Sequence, residues 1–152
     1  MRKILVLALL AVLAACSPPN RSDLPLGTVS RSFPELLNSA RAVSGVRGVM
    51  EDDRLTRVAQ KHADDMAKTG YFSHQSSDGR TLRDRVDAEG FPVCWVAENI
   101  AKGQISPKEV IDDWMMSSGH RRNIVWPNAS HFGLGHAKDG NYWVLVMAER
   151  GC

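Results

Sequence analysis

The chain has 152 residues, of which 43% are hydrophobic and 24% are charged, and this length is typical of one domain. Its 7% aromatic content and ordinary glycine and proline counts exclude a disordered, collagenous or low-complexity chain. The formal net charge is +2, but Arg2 and Lys3 lie in a segment that we expect to be removed; without them 17 basic and 17 acidic residues remain. A neutral domain has no electrostatic reason to bind nucleic acid, so we expect no nucleic-acid partner.

The first 15 residues have the pattern of a secretory signal peptide. Arg2 and Lys3 precede an unbroken apolar run over residues 4–15, which is shorter than the ~20 residues that a membrane span needs. The run ends in the letters LAAC, which resemble the bacterial lipobox, where the cysteine is acylated and becomes the mature N-terminus. We therefore predict a lipoprotein signal peptide over residues 1–15 and a membrane anchor of acyl chains on Cys16. The alternative is an ordinary signal peptide with an incidental cysteine.

Residues 16–31 are predicted to form the acylated N-terminus and a flexible tether. They are rich in serine and proline and lack apolar periodicity. The globular domain is then expected over residues 32–152, long enough to bury one modest core. We expect the protein to be anchored in the bacterial cell envelope. Ser17, in place of an aspartate after the lipid-bearing cysteine, favours the periplasmic side of the outer membrane if the host is Gram-negative.

Two cysteines remain in the domain once Cys16 is acylated, namely Cys94 and Cys152. Because the compartment beyond the inner membrane is oxidising, we predict a disulfide between them, which would stabilise the fold by about 4 kcal/mol on the chain-entropy model. Two buried free thiols and a metal-binding pair are the alternatives. The metal pair is a weak signal because the two cysteines lack a CxxC spacing.

Four segments of the domain have helical periodicity. In chain order their apolar stripes are Phe33, Leu36, Leu37, Ala40 and Val43; Leu55, Val58, Ala59, His62, Ala63 and Met66; Leu82 and Val86; and Val110, Ile111, Trp114 and Met115. Glycines follow the first three segments and predict where those helices end. Ser106, Pro107 and Glu109 predict the start of the fourth, with the glutamate placed for a capping box. His62 lies on an apolar stripe, so we expect it to fill core space.

Strands are predicted mainly in the last third of the chain. Residues 132–137 alternate in character, with two glycines on one face, and the letters KDGN at 138–141 predict a hairpin turn. Residues 142–148 are apolar on both faces, as in a central strand, and residues 93–100 are a third strand. Helices followed by antiparallel strands predict an α+β domain, with helices on both faces of a small antiparallel sheet.

Three polar residues are unusual for their positions. Glu98 lies inside an apolar strand, so its carboxylate must be paired or hydrogen-bonded, or its pKa must rise. Alternatively, Glu98 points outward from an edge strand or caps a backbone bend together with Asn99. His74 follows a helix end and His120 follows an apolar helix, but a single histidine is more often structural than a ligand. The sequence contains no HExxH or similar compact metal motif, so any site must be assembled from distant segments.

Five groups of motifs occur in a fixed order along the domain. They are the letters QKHADDM at 60–66, FSH at 72–74 with DGRT at 78–81, AENIA at 97–101, WMMSSGHRRNI at 114–124, and the strand pair FGLG at 132–135 with YW at 142–143. In this order the motifs resemble those of the CAP superfamily, which comprises the cysteine-rich secretory, antigen 5 and pathogenesis-related proteins, in its bacterial branch. The resemblance extends over roughly residues 36–148.

This resemblance implies an α-β-α sandwich, the SCP domain, with a central cleft lined by two histidines and acidic residues. By motif, the cleft histidines are His74 and His120, and the first acid is Glu98. The family's second cleft glutamate would fall near Ser117, where this sequence has no carboxylate. Ala97 also replaces the glycine that commonly precedes the Glu-Asn pair. The departure at Ser117 disfavours any mechanism that needs all four cleft groups.

The resemblance further implies that His74 and His120 bind zinc or another divalent cation, with water completing the coordination shell. Glu98 would fix a histidine tautomer, or would act as the base in metal-assisted hydrolysis. The function that we expect first is non-catalytic binding of a metal, a small lipid or a peptide in this cleft. The alternatives are a metal-dependent hydrolase of peptide or envelope substrates using His74, His120 and Glu98, and a structural envelope protein with a vestigial cleft.

Overall fold

The computed structural model describes residues 31–151. The predicted signal peptide, the lipidation of Cys16, the tether up to residue 30 and Cys152 lie outside the described residues. Among residues 31–151, every helix is too short or too polar to span a bilayer.

The described part of the chain contains five helices and four strands. In chain order they are α1 (Phe33–Val43), β1 (Met50–Glu51), α2 (Asp53–Thr69), α3 (Leu82–Ala88), β2 (Val93–Lys102), α4 (Pro107–Met116), α5 (Ser118–Ile124), β3 (His131–Ala137) and β4 (Tyr142–Arg150). The four predicted helices correspond to α1–α4, and the three predicted strands to β2–β4. Neither α5, which follows α4 after Ser117, nor the two-residue strand β1 is predicted by the sequence.

The four strands form one sheet in the order β1-β3-β4-β2. The hairpin strands β3 and β4 pair antiparallel, and β4 also pairs antiparallel with β2, with Val146 opposite Glu98. The predicted antiparallel arrangement of these three strands is confirmed, and β4 is a central strand as expected. The sheet as a whole is mixed, because β1 joins β3 in parallel. Strand β2 is therefore an edge strand.

Helices cover both faces of this sheet, because β4 sends alternate apolar side chains to opposite sides. Val144, Val146 and Ala148 pack with α2 and α3 in one core. The intervening residues of β4 pack with α1, α4 and α5 in a second core. The predicted α-β-α sandwich is thus confirmed.

Two glycines of β3 allow α2 to lie directly on the sheet. A Cβ atom added at Gly133 would lie 2.1 Å from the backbone of Leu55, and one at Gly135 would lie 2.3 Å from the backbone of Ala59. No side chain fits into such a gap, so these two positions bring α2 closer to the sheet than any other residue type would allow.

Two details of the helices differ from the sequence-based expectations. Val43 was expected on the buried stripe of α1 but is 88% exposed, whereas Arg41, one turn after Leu37, is fully buried. The guanidinium of Arg41 is satisfied by carbonyl oxygens of the 47 and 124–129 segments, which explains how a charge is accommodated there. At α4, the Glu109 carboxylate accepts the N–H of residue 105 instead of completing the capping box at Ser106.

Candidate functional site

Glu98 is enclosed within the domain and has two charged or polar partners. Its side chain is 2% exposed, and its Oε1 lies 2.8 Å from Nδ1 of His74. Its Oε2 accepts a hydrogen bond from Nη2 of Arg85 at 2.6 Å. Although β2 is an edge strand, the carboxylate therefore faces the α2–α3 side of the sheet, and the alternative of an outward-pointing Glu98 is wrong. The prediction that a carboxylate at this position must be paired is confirmed.

His74 lies in the loop between α2 and α3, and its side chain is 58% exposed. A carboxylate that pairs with a guanidinium can only accept hydrogen bonds, so Nδ1 of His74 carries the hydrogen in its contact with Glu98. In the neutral form of the ring, the other nitrogen, Nε2, then has a free lone pair. This is the arrangement in which a carboxylate orients a metal-binding histidine.

Arg85 belongs to none of the predicted site residues, yet its guanidinium contacts both Glu98 and the loop that bears His74. Arg85 is 5% exposed, and its Nη1 donates to the carbonyl oxygen of His74 and to Oγ of Ser76, both at 3.0 Å. The sequence did contain a signal: Leu82, Arg85 and Val86 have i, i+3, i+4 spacing, so the arginine lies on the buried stripe of α3. A charge on a buried stripe requires a buried partner.

His62 fills core space in α2 as predicted, and it also contacts the site. Its Nε2 lies 2.9 Å from the carbonyl oxygen of Ser73 and 3.8 Å from Oε1 of Glu98. Burial lowers the pKa of His62, and the charge of Arg85 lowers it further, while Glu98 opposes both effects. The neutral ring therefore donates from Nε2 to Ser73, which fixes the backbone immediately before His74.

Asn99 connects the same strand to the second histidine. It is fully buried, and because successive strand residues face opposite sides, its side chain points away from that of Glu98. Its Nδ2 donates to the carbonyl oxygen of His120 at 3.0 Å, and its Oδ1 accepts from Asn123 of α5 at 2.9 Å. The pair Glu98-Asn99 thus holds the side chain of His74 on one side and the backbone of His120 on the other.

His120 is half-buried near the start of α5. Burial lowers its pKa, and the neighbouring His74 lowers it further. The imidazole of His120 is consequently neutral at pH 7, the form that binds metal ions. Ser117, at the position of the family's second acid, is half-buried at the junction of α4 and α5, one turn before His120.

A cavity of about 520 Å³ adjoins one half of this site. It is lined by His74 and Glu98 and by three residues from the loop and the start of α3, namely Gln75, Thr81 and Leu82. His120 and Ser117 do not belong to its lining. The cavity is therefore next to the exposed histidine, on the α3 side, and is large enough for a small organic ligand.

His74 and His120 have ring nitrogens of the chemical type that binds a metal ion. No hydrogen bond among residues 31–151 engages Nε2 of His74 or either ring nitrogen of His120. Within the same range, no group of three or more His, Cys, Asp or Glu side chains is placed to hold one ion. An ion at this site would need water or a bound ligand to complete its coordination.

The predicted disulfide lies partly outside the described residues, because its second cysteine is residue 152. The end of the described chain nevertheless approaches the first cysteine. The N–H of Gly151 donates to the carbonyl oxygen of Pro92 at 3.0 Å, so residue 152 follows a segment that lies beside the start of β2. The pairing of Cys94 with Cys152 stays a prediction.

Comparison with known proteins identifies relatives of the domain. An uncharacterized protein of Bacillus subtilis, YkwD, is 38% identical over 109 residues, which are 72% of this chain and 42% of that protein. A membrane protein of the same organism, YlbC, is 29% identical over 123 residues, which are 81% of this chain and 35% of that protein. The chain thus spans less than half the length of these curated relatives.

Solved structures show the same fold. An extracellular protein of Bacillus anthracis that contains an SCP domain superposes with a TM-score of 0.74 at 25% identity, covering 78% of this chain and 39% of that one. An outer surface protein of Borrelia burgdorferi has a TM-score of 0.69 at 20% identity, covering 78% of this chain and 90% of that one. At 20% identity, this second likeness supports the fold alone.

The sequence profile of the cysteine-rich secretory protein family, CAP, matches residues 35–148, which include all five helices except the first two residues of α1 and contain both cleft histidines. The motif order, the α-β-α sandwich and this match agree, and the chain belongs to the cysteine-rich secretory protein (CAP) family.

Proposed function

We propose that this protein is a non-catalytic binding module of the cell envelope, whose cleft holds a divalent metal ion such as zinc through His74 and His120. The observation that supports this function is the contact of Glu98 with Nδ1 of His74, because it leaves Nε2 available as a ligand. The cavity of about 520 Å³ beside His74 would accommodate a small lipid or peptide next to the ion.

The geometry favours binding over hydrolysis with Glu98 as the base. A general base needs an oxygen that can reach a water molecule or a substrate. In this domain one oxygen of Glu98 is hydrogen-bonded to His74, the other is bonded to Arg85, and the side chain is almost fully enclosed. A metal-dependent hydrolase therefore remains the second candidate, and turnover of peptide or peptidoglycan substrates that Glu98→Gln abolishes would support it over the binding function.

Zinc calorimetry on the detergent-solubilised full chain tests the metal site. We expect the wild type to bind zinc, and His74→Ala and His120→Ala each to weaken binding by at least ~10-fold, because each would remove one of only two protein ligands. His136→Gln is the matched control, since His136 lies in β3 and stacks on Trp143. If both cleft variants bind zinc as tightly as the wild type, the proposed metal site is wrong.

We propose an extracytoplasmic location with a lipid anchor on Cys16. Support comes from the lipobox-like sequence and from relatives described as extracellular, such as the Bacillus anthracis protein. Fractionation of cells that express Cys16→Ser tests the anchor: we expect the variant to be released from the membrane fraction. Retention of the variant in that fraction would show that acylation of Cys16 does not anchor the protein.

A further inference from the structure

We infer that Arg85 is the positioning residue of this cleft, which fixes the Glu98 carboxylate and the loop bearing His74 as one unit, so that His74 keeps Nε2 free for a ligand. The consequence for metal affinity rests on the proposed function. The consequence for the His74 tautomer does not, because it concerns the metal-free protein.

The first step is the contact between the two charged groups. The Arg85 and Glu98 side chains are 5% and 2% exposed, and Nη2 lies 2.6 Å from Oε2. Within residues 31–151, Arg85 is the only arginine or lysine that forms an ion pair with Glu98. Without the guanidinium, the carboxylate would be a buried charge facing only the two imidazoles of His62 and His74, which is a costly arrangement.

The second step is the contact of the same guanidinium with the loop. Nη1 donates to the carbonyl oxygens of His74 at 3.0 Å and Arg80 at 3.4 Å, and to Oγ of Ser76 at 3.0 Å. The loop from 70 to 81 contains no helix or strand, so side chains hold much of its shape: His62 bonds to the carbonyl oxygen of Ser73, Ser77 to Asp65, and Arg85 to the carbonyl oxygen of His74. Arg85 therefore fastens the backbone of His74 at a fixed position relative to the carboxylate that the imidazole contacts.

The third step is the requirement for arginine. Nη2 donates to the Glu98 carboxylate, and Nη1 donates to the loop. The rigid, planar guanidinium thus reaches two separate sets of acceptors at the same time. A lysine keeps the positive charge but has one ammonium group, which cannot occupy both places. Arg85→Lys thus keeps the positive charge of residue 85 but removes its ability to donate to both sets of acceptors.

The test uses ¹⁵N-labelled full-length protein without metal, at about pH 8, well above the ordinary pKa of histidine. The ¹⁵N shifts of the His74 ring report which nitrogen carries the hydrogen. We expect the wild type to show hydrogen on Nδ1, and Arg85→Lys to show a mixture of both tautomers, because Glu98 and the loop are no longer held together. Zinc affinity should fall by at least ~10-fold in the same variant.

The matched control is Arg83→Lys in the same helix, whose guanidinium is exposed and pairs with Asp87. It should change neither the tautomer nor the zinc affinity. If Arg85→Lys does not fold, Arg85→Gln, which keeps a planar amide donor, is measured in its place. A folded variant at residue 85 in which His74 still carries hydrogen on Nδ1 would overturn the inference, even if its stability had fallen. A wild type that binds no zinc would instead refute the proposed function, and the tautomer would still decide the role of Arg85.

Discussion

Glu98 and Asp52 both pair with an arginine, and the surroundings of each carboxylate determine what it does. Glu98 is enclosed and holds both His74 and Arg85. Asp52 precedes α2, where one oxygen caps the helix by accepting the Arg54 N–H at 2.9 Å and the other lies 2.7 Å from the Arg54 guanidinium. Hydrogen bonds from that guanidinium are the main cause that lowers the pKa of Asp52 to about 2. Asp52 therefore stabilises the fold in its charged form.

Asp52→Asn tests the contribution of this charge to stability. It removes the charge but keeps the helix cap, because asparagine caps a helix as well as aspartate does. A carboxyl group whose pKa falls from 3.8 to about 2 on folding contributes fully above about pH 4 and loses its contribution as the pH falls through about 2. We expect the variant to have a free energy of unfolding lower by about 2 kcal/mol at pH 7, and the difference to be mostly lost at pH 2. Urea denaturation at several pH values measures it.

Asp64→Asn on the exposed face of the same helix is the control, and it should change the free energy of unfolding by less than about 0.5 kcal/mol. If Asp52→Asn and the wild type differ equally at pH 7 and pH 2, the charge of Asp52 is not the source of the stabilisation.

At the scale of single residues, the sequence shows which residue types are unusual for their positions. It does not show which residues of other elements they contact. Glu98 could be singled out because a charge is expensive in an apolar strand, and His74 and His120 because they belong to family motifs. Arg85 and Asn99 were missed as partners, since no spacing rule connects α3 or α5 to β2. Periodicity indicates which face of an element is buried but not which residue of another element meets it.

At the scale of the elements, the close contact between α2 and β3 depends on two glycines. We expect Gly135→Ala to lower the free energy of unfolding by about 3 kcal/mol, because the new methyl group would lie 2.3 Å from the Ala59 backbone, and only a shift of α2 could relieve the overlap. Gly119→Ala in α5 is the control: its Cβ would meet no atom within 4 Å, so the variant should be neutral or slightly more stable. Thermal unfolding of both variants measures this, and equal midpoints would contradict the prediction.

Elements with an apolar pattern could be predicted, and those without one could not. Helix α2 has a continuous apolar stripe and a glycine stop, and its predicted end at Gly70 agrees with the left-handed C-cap found there. Strand β1 has two residues, which is too few for a pattern, and α5 has one buried apolar residue, Ile124. Helix α3 is as short as α5, but Leu82 and Val86 gave it a helical spacing. The failure at α5 matters most, because that helix carries His120.

At the scale of the whole described domain, the end of β4 lies beside the start of β2, at one corner of the sheet. Arg150 pairs with Val93, and Gly151 donates to Pro92, so the last strand closes against the beginning of β2. The class of fold followed from the sequence, because helices that precede strands with one-sided and two-sided apolar patterns suit a layered α+β domain. The strand order and the parallel β1 depend on long-range contacts that no local pattern specifies.

The predicted disulfide between Cys94 and Cys152 would link the chain covalently at this corner. We expect mass spectrometry of non-reduced peptides to show Cys94 linked to Cys152, and reduction to lower the free energy of unfolding by about 4 kcal/mol, because the bond closes a long loop. The double variant Cys94→Ser/Cys152→Ser is the control, and reductant should leave its stability unchanged. Recovery of both cysteines as free, alkylated thiols from the untreated protein would refute the pairing.

Because Glu98 and Asn99 are neighbours on β2, the contacts that support His74 and His120 both depend on the register of β2 against β4. A slip of β2 by one residue against β4 would rotate every side chain of the strand to the other face. The carboxylate would then turn toward α5 and the amide toward His74, and both histidines would lose their supports in the same event. The ladder with β4, its one strand neighbour, and the side-chain contacts of Glu98 and Asn99 oppose such a slip. Because Val146 of β4 lies opposite Glu98, a substitution there is able to shift this alignment and so disturb both halves of the cleft.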